Sequence, residues 1–158
     1  MTITGRLIWH AWSVPLPHVN ERVTHIMPAD VQAFFDQYRD AFNRLDGREV
    51  SAHYDRPAMI VDDRGNRVFA DGAALDANNV ALCEVYARSG FLRADFRERA
   101  FVPLGHDFCV VDLAWKIECR DRSRQQFNTS YSLARRDGKW KVAVVTAYEE
   151  RLSGREHG

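Results

Sequence analysis

Apolar positions along the chain follow two periods, a helical one in the first half and a two-residue one in the second. Val31, Phe35, Tyr38, Phe42 and Leu45 step by four, three, four and three, with Phe34 beside them. That spacing predicts an amphipathic helix over 29–45 with one stripe toward a core. Asp30 falls in its first turn, where a carboxylate meets unpaired N–H groups and the positive end of the dipole. Asp46-Gly47-Arg48-Glu49 has capping-box spacing, which stops this helix and starts a short second one over 47–54 that Pro57 ends. A strand over 58–62, a turn over 63–66 and a return over 67–70 follow. Asp71-Gly72 then opens a third helix to about Ser89, with Gly90 as its stop and Leu75, Asn79, Leu82 and Tyr86 as its buried stripe.

From Phe91 onward the pattern alternates. Leu92, Ala94, Phe96, Ala100 and Val102 are expected inward, against Arg93, Asp95, Arg97 and Arg99 outward. Pro103 to Asp107 reads as a turn, and Cys109, Val111, Leu113, Trp115 and Ile117 mark one face of the next strand. The clearest local signal is Asp137-Gly138 between two long β-rich runs, a type I′ hairpin. Strict alternation groups Trp140, Val142, Val144 and Tyr148 with Phe127, Tyr131 and Leu133, and Ala143, Val145 and Ala147 with Asn128, Ser130 and Ser132. Neither group is charged, so both faces are expected to be covered. Helices first and a four-strand meander last mean an α+β fold. In it three helices of the N-terminal half pack on a strongly curved, mainly antiparallel sheet, leaving a cone with a mouth.

Composition narrows the function. A chain of 158 residues, 46% hydrophobic and 28% charged, suits one domain, expected over 28–150. Residues 1–27, punctuated by Pro15 and Pro17, read as a loosely attached N-terminal extension, with Leu7 to Trp12 packing on the domain or a partner as the alternative. Residues 151–158 read as a C-terminal tail. The 22 basic and 22 acidic residues cancel, which argues against nucleic acid or a membrane surface as partners. Cys83, Cys109 and Cys119 are an odd number without CxxC spacing, expected as reduced thiols in a cytoplasmic protein. Six scattered histidines give no HxxxH and no Cys/His cluster, so neither a metal nor another cofactor is expected.

Several marks occur in order: Val31-Gln32-Ala33-Phe34-Phe35-Asp36-Gln37-Tyr38, the Asp46-Gly47 joint, Tyr54 at the close of the second helix, Asp71-Gly72, and Arg135-Arg136-Asp137-Gly138-Lys139-Trp140-Lys141-Val142. From about Pro28 to Glu150 the chain thereby resembles the NTF2-like superfamily, including its SnoaL-like and ketosteroid-isomerase-like groups. The resemblance implies a cone-shaped α+β barrel with a pocket, commonly a homodimer through the open sheet face. It also implies site residues. Tyr38 matches the tyrosine that donates to a substrate oxyanion in ketosteroid isomerases, and Asp62 matches the carboxylate base. The third group, an acid, is missing; Ser132 falls near its position, with Tyr131 as the alternative.

The chemistry of these residues is coherent in its own right. A carboxylate in an apolar pocket can work as a base near neutral pH, and a phenol opposite it can stabilise developing negative charge. Plainer readings stand beside each. Tyr38 lies on a core stripe, Asp62 precedes a turn, and Tyr54 is a packing residue or a partner of Tyr38. Asn79 sits at a helix margin or faces a polar cavity. Asp112 is a pocket acid, or an outer-face group beside Lys116 and Glu118. Trp115, Asn128, Ser132 and Tyr148 are expected as pocket walls with Tyr54 and Asn79. Three functions remain open. The first is a domain binding a small, largely hydrophobic molecule. The second is a cofactor-free isomerase, cyclase or dehydratase using Asp62 and Tyr38, with Asp112 as a further catalytic candidate. The third is a protein-interaction subunit using the sheet face.

Overall fold

The computed structural model describes residues 26–153, with side chains through residue 149. The run Leu7 to Trp12 and the end of the tail lie outside the described residues. Met27, placed in the extension by sequence, is buried in the core, and its N–H bonds the Glu98 carboxylate at 3.2 Å.

Three helices come first or are interleaved with the first strands: α1 (Ala29–Asn43), α2 (Gly47–Ala52) and α3 (Gly72–Arg88). The strands are β1 (Tyr54–Asp62), β2 (Gly65–Phe69), β3 (Phe91–Leu104), β4 (Phe108–Cys119), β5 (Arg124–Arg136) and β6 (Lys139–Ser153). They form one curved, unclosed sheet in the order β2-β1-β6-β5-β4-β3. β3 to β6 are the expected antiparallel meander, whereas β1 runs parallel to β6. The fold is therefore α+β, three helices against a mixed and mainly antiparallel sheet.

The helix signals work as local chemistry requires. Asp46 caps α2 by accepting the Glu49 N–H at 3.0 Å, and Asp71 caps α3 through the Ala74 N–H at 2.9 Å. Asp30 does more than face the end of α1. It accepts the Trp140 indole N–H at 2.9 Å and Arg135 at 3.1 Å, which ties the helix start to the β5–β6 hairpin. Gly47 allows α2 to cross α3, because a Cβ there would stand 2.5 Å from the Val80 Cα. Asp137 and Gly138 have φ of 49° and 75°, as a type I′ turn demands.

Three expectations need correction. The second helix ends at Ala52, and Tyr54 already pairs with Val142 as the first residue of β1. Pro57 lies inside β1, where pairing with β6 lapses between Tyr54 and Met59, so its missing N–H costs no ladder bond. In β3, register shifts at 91/93 and 98/100 reverse the alternation, so Phe91 and Phe101 are buried while Leu92 and Val102 are exposed. In the last hairpin Ser132 pairs with Val144 but Leu133 with Val142, leaving Ala143 as an extra residue. Beyond that bulge Val145 replaces Val144 on the buried side.

The core lies between α1 and the inner face of the sheet, with Val31, Phe35, Val50, Leu75, Val111, Leu113 and Val142 fully buried. Cys83, Cys109 and Cys119 are buried free thiols, and burial pushes Cys109 up to about 11.

Candidate functional site

A cavity of about 880 Å³ opens between α1, α3 and the inner face of the sheet. Its floor is built by four elements. Phase along α1 turns Tyr38 inward, β1 starts with Tyr54, and alternation on β4 and β5 turns Trp115, Thr129 and Tyr131 to the same side. The hydroxyls of Tyr38 and Tyr54 are 2.9 Å apart, and the Trp115 indole N–H donates to the Tyr131 hydroxyl at 3.0 Å. Tyr38 and Tyr131 are each only 3% exposed. Burial drives the Tyr38 phenol well above its ordinary pKa, with Tyr54 and Tyr131 adding to the rise. Burial likewise raises Tyr131, and pushes Tyr54 up to about 12. The floor is thus a set of neutral hydroxyl groups at any ordinary pH.

Apolar walls rise from it: Phe42, Ile60, Tyr86, Phe91, Ile117 and Phe127. Along α3 the cavity is open, and there Leu82 and Val85 are 37% and 52% exposed although both line it. Asn79 borders the cavity but spends its amide on the helix joint, donating to Ser51 Oγ at 2.9 Å while Ser51 donates to the Gly47 carbonyl.

The rim is charged. Asp62 lines the same cavity as Tyr38. Its Oδ2 accepts Arg64 Nη2 at 2.9 Å and Arg67 Nη2 at 2.8 Å, and its Oδ1 accepts the Arg64 N–H at 3.0 Å. The Arg64 hydrogen bonds, then Arg67, hold the carboxyl below its ordinary value. A carboxylate so occupied is a weak base until the arginines move.

Sequence reasoning brought together Tyr38, Tyr54, Asp62, Asn79, Trp115 and Tyr148, and all six border the cavity. The Tyr148 hydroxyl, however, donates to Asp112 Oδ1 at 2.7 Å, and Arg99 bonds Asp112 Oδ2 at 3.0 Å. Asp112, Asn128 and Ser132 do not line the cavity. Asn128 donates to Glu149 at 2.9 Å and borders a separate depression of about 410 Å³ with Arg97, Arg99 and Lys116. Sequence reasoning left Thr129 out of the site and weighed Tyr131 only as an alternative. Sharing parity with Phe127 and Leu133 was the signal that placed both inward.

Among the described residues no group of three or more His, Cys, Asp or Glu side chains gathers as metal ligands, and no helix is long and apolar enough to cross a membrane.

The profile of the family described as NTF2-like protein (DUF6841) matches residues 29–150. No curated protein matches the chain. Among solved structures, an NTF-2 like protein of unknown function from Shewanella oneidensis MR-1 is 15% identical, with 76% of this chain and 97% of that one covered at a TM-score of 0.64. A ketosteroid isomerase-like protein from Erwinia carotovora atroseptica SCRI1043 is 18% identical, covering 75% and 92% at a TM-score of 0.60. A domain of unknown function with a cystatin-like fold from Nostoc punctiforme PCC 73102 is 15% identical, covering 77% and 78% at 0.59. At such identities the likeness is one of fold.

Proposed function

The chain belongs to the NTF2-like protein (DUF6841) family, and from that premise we infer that it binds a small, largely hydrophobic molecule in the cone cavity. One observation carries this reading: an 880 Å³ space with aromatic and aliphatic walls converges on a floor of buried, uncharged hydroxyls. Apolar walls supply affinity and a few fixed polar groups supply orientation. The formal charge of zero favours a small molecule over nucleic acid as partner.

The test is calorimetric titration with 2-acetylnaphthalene, a flat ketone that suits the walls. Saturable binding supports the reading, and Tyr38→Phe is expected to weaken it by about tenfold or less, the worth of one hydrogen bond. No binding by this or any similarly sized aromatic ketone or phenol would sink it.

A second reading, an acid/base enzyme, draws on the shared cavity of Tyr38 and Asp62. It requires a ligand that loosens Arg64 and Arg67 from the carboxylate. Exchange of the methyl protons of 2-acetylnaphthalene into deuterated solvent, lost in Asp62→Asn, would establish it. Exchange at the buffer rate would end it.

A homodimer through the outer sheet face fits the row Val68, Met59, Val144, Ser132, Val110 and Val102. These residues are aligned across every strand, and Val68 and Val102 are exposed. Sedimentation equilibrium of the wild type and Val110→Lys tests it, with a monomer in both as the negative result. Three buried free thiols support a reducing, cytoplasmic setting.

A further inference from the structure

The floor hydroxyls are not equivalent in what they can offer a ligand. An indole N–H only donates, so the Tyr131 oxygen is an acceptor toward Trp115 and its own hydrogen points elsewhere. The Tyr38 and Tyr54 hydroxyls bond each other at 2.9 Å, and the Tyr131 ring lies beside Tyr38 with their centroids 5.8 Å apart. The three phenols bring three hydrogens, and the Tyr38–Tyr54 bond takes one of them whichever way it runs. Trp115 has no lone pair to take either of the others. All these side chains are buried and all line the cavity. A buried donor without a partner is costlier than a spare lone pair on an oxygen that already has one bond.

We propose that Trp115 is the specificity-determining residue of this cavity: by closing the acceptor side of Tyr131 it leaves the phenol cluster as a net donor, which selects ligands carrying an acceptor oxygen without a hydrogen of its own. The proposal rests on the small-molecule reading above and narrows it to ketones, quinones and similar carbonyl compounds, in preference to the corresponding alcohols. Trp115 acts through Tyr131 rather than on the ligand, so it is a positioning residue. The ketone and its alcohol share the same heavy atoms and differ in the planarity of one carbon, so the response of their ratio to the two variants, not the wild-type ratio alone, separates hydrogen bonding from shape.

The experiment is a calorimetric comparison of 2-acetylnaphthalene with 1-(2-naphthyl)ethanol on the full chain. In the wild type the ketone is expected to bind about three- to tenfold tighter, the range of one hydrogen bond. Trp115→Phe keeps an aromatic ring against Phe96, whose centroid is 5.2 Å away, but reopens the Tyr131 lone pair to an alcohol hydrogen. The ketone-to-alcohol ratio should fall toward one. Tyr131→Phe does the opposite: it frees the Trp115 N–H as an added donor, and the ratio should hold or rise. A merely structural role for Trp115 would weaken both probes alike and leave the ratio unmoved, which would overturn the proposal, as would a wild type that prefers the alcohol. If Trp115→Phe does not fold, a ratio that falls in Tyr131→Phe overturns it equally. Binding of both probes with an unchanged ratio removes this inference alone, whereas binding of neither removes the small-molecule reading beneath it.

Discussion

The floor and the rim of the cavity are both polar, yet they are built on opposite principles. At the floor Tyr38, Tyr54, Tyr131 and Trp115 are buried, uncharged and hydrogen-bonded in two pairs, Tyr38 with Tyr54 at 2.9 Å and Trp115 with Tyr131 at 3.0 Å. At the rim Asp62 is charged and held by Arg64 and Arg67, whose side chains are 76% and 43% exposed. Water competes for every rim contact and for almost none on the floor. A lost partner at the rim is replaced by solvent, whereas a lost partner on the floor leaves a polar atom with nothing. The floor should therefore control stability and selectivity, and the rim should matter chiefly for which ligands enter.

The largest break in this contrast is expected from Trp115→Ala, which removes a buried aromatic packed on Phe96 and Tyr38 as well as the bond to Tyr131. A loss of about 3–5 kcal/mol in urea unfolding is expected. A loss below 1 kcal/mol would mean that the floor is solvated like the rim.

Alkali gives the next effect. An unfolded tyrosine titrates near 10, while Tyr54 in the fold keeps its proton to about 12. Above pH 10 the unfolded chain binds fewer protons than the folded one, so stability falls as pH rises. The stabilisation linked to this residue is fully present below pH 10 and is lost through about pH 12. Its contribution is on the order of 2–3 kcal/mol. Urea melts across this range, with phenolate absorbance followed in parallel, check it; tyrosines that all titrate near 10 in the folded protein would contradict it.

Tyr38→Phe should cost about 1–3 kcal/mol, because the Tyr54 hydroxyl loses its partner in a buried place. Smallest of all, Asp62→Asn should change stability by less than about 1 kcal/mol, as expected of an ion-pair cluster whose two arginines are solvent-exposed. Because Asp62 is held below its ordinary value, the linked stabilisation is present above that value and fades as acid protonates it through the lowered one. A loss at Asp62 larger than that at Tyr38 would invert the comparison.

Much of this architecture was legible along the chain, because its signals are local. The α1 stripe follows from helical phase, the caps at Asp46 and Asp71 from side-chain chemistry, and the hairpin at Asp137-Gly138 from the φ values that turn requires. Inward β4 residues from Cys109 to Ile117 follow from unbroken alternation. The site was legible in part. Tyr38, Tyr54, Asp62 and Trp115 could be named, but not what each one touches.

Only the tertiary structure decided the rest. Register shifts at 98/100 on β3 and at Ala143 on β6 exchange the two faces of each strand, and an extra residue leaves no mark in a hydrophobic pattern. The parallel seating of β1 on β6 joins segments about 85 residues apart through backbone groups that every residue possesses. The partner of each polar side chain was settled in the same way. Asp62 turned to two arginines and Tyr131 to Trp115 because the folded sheet set those groups within about 3 Å. Sequence specified which groups were available to bond, and packing chose the pairs, since a hydrogen bond depends on distance and direction that no linear spacing encodes.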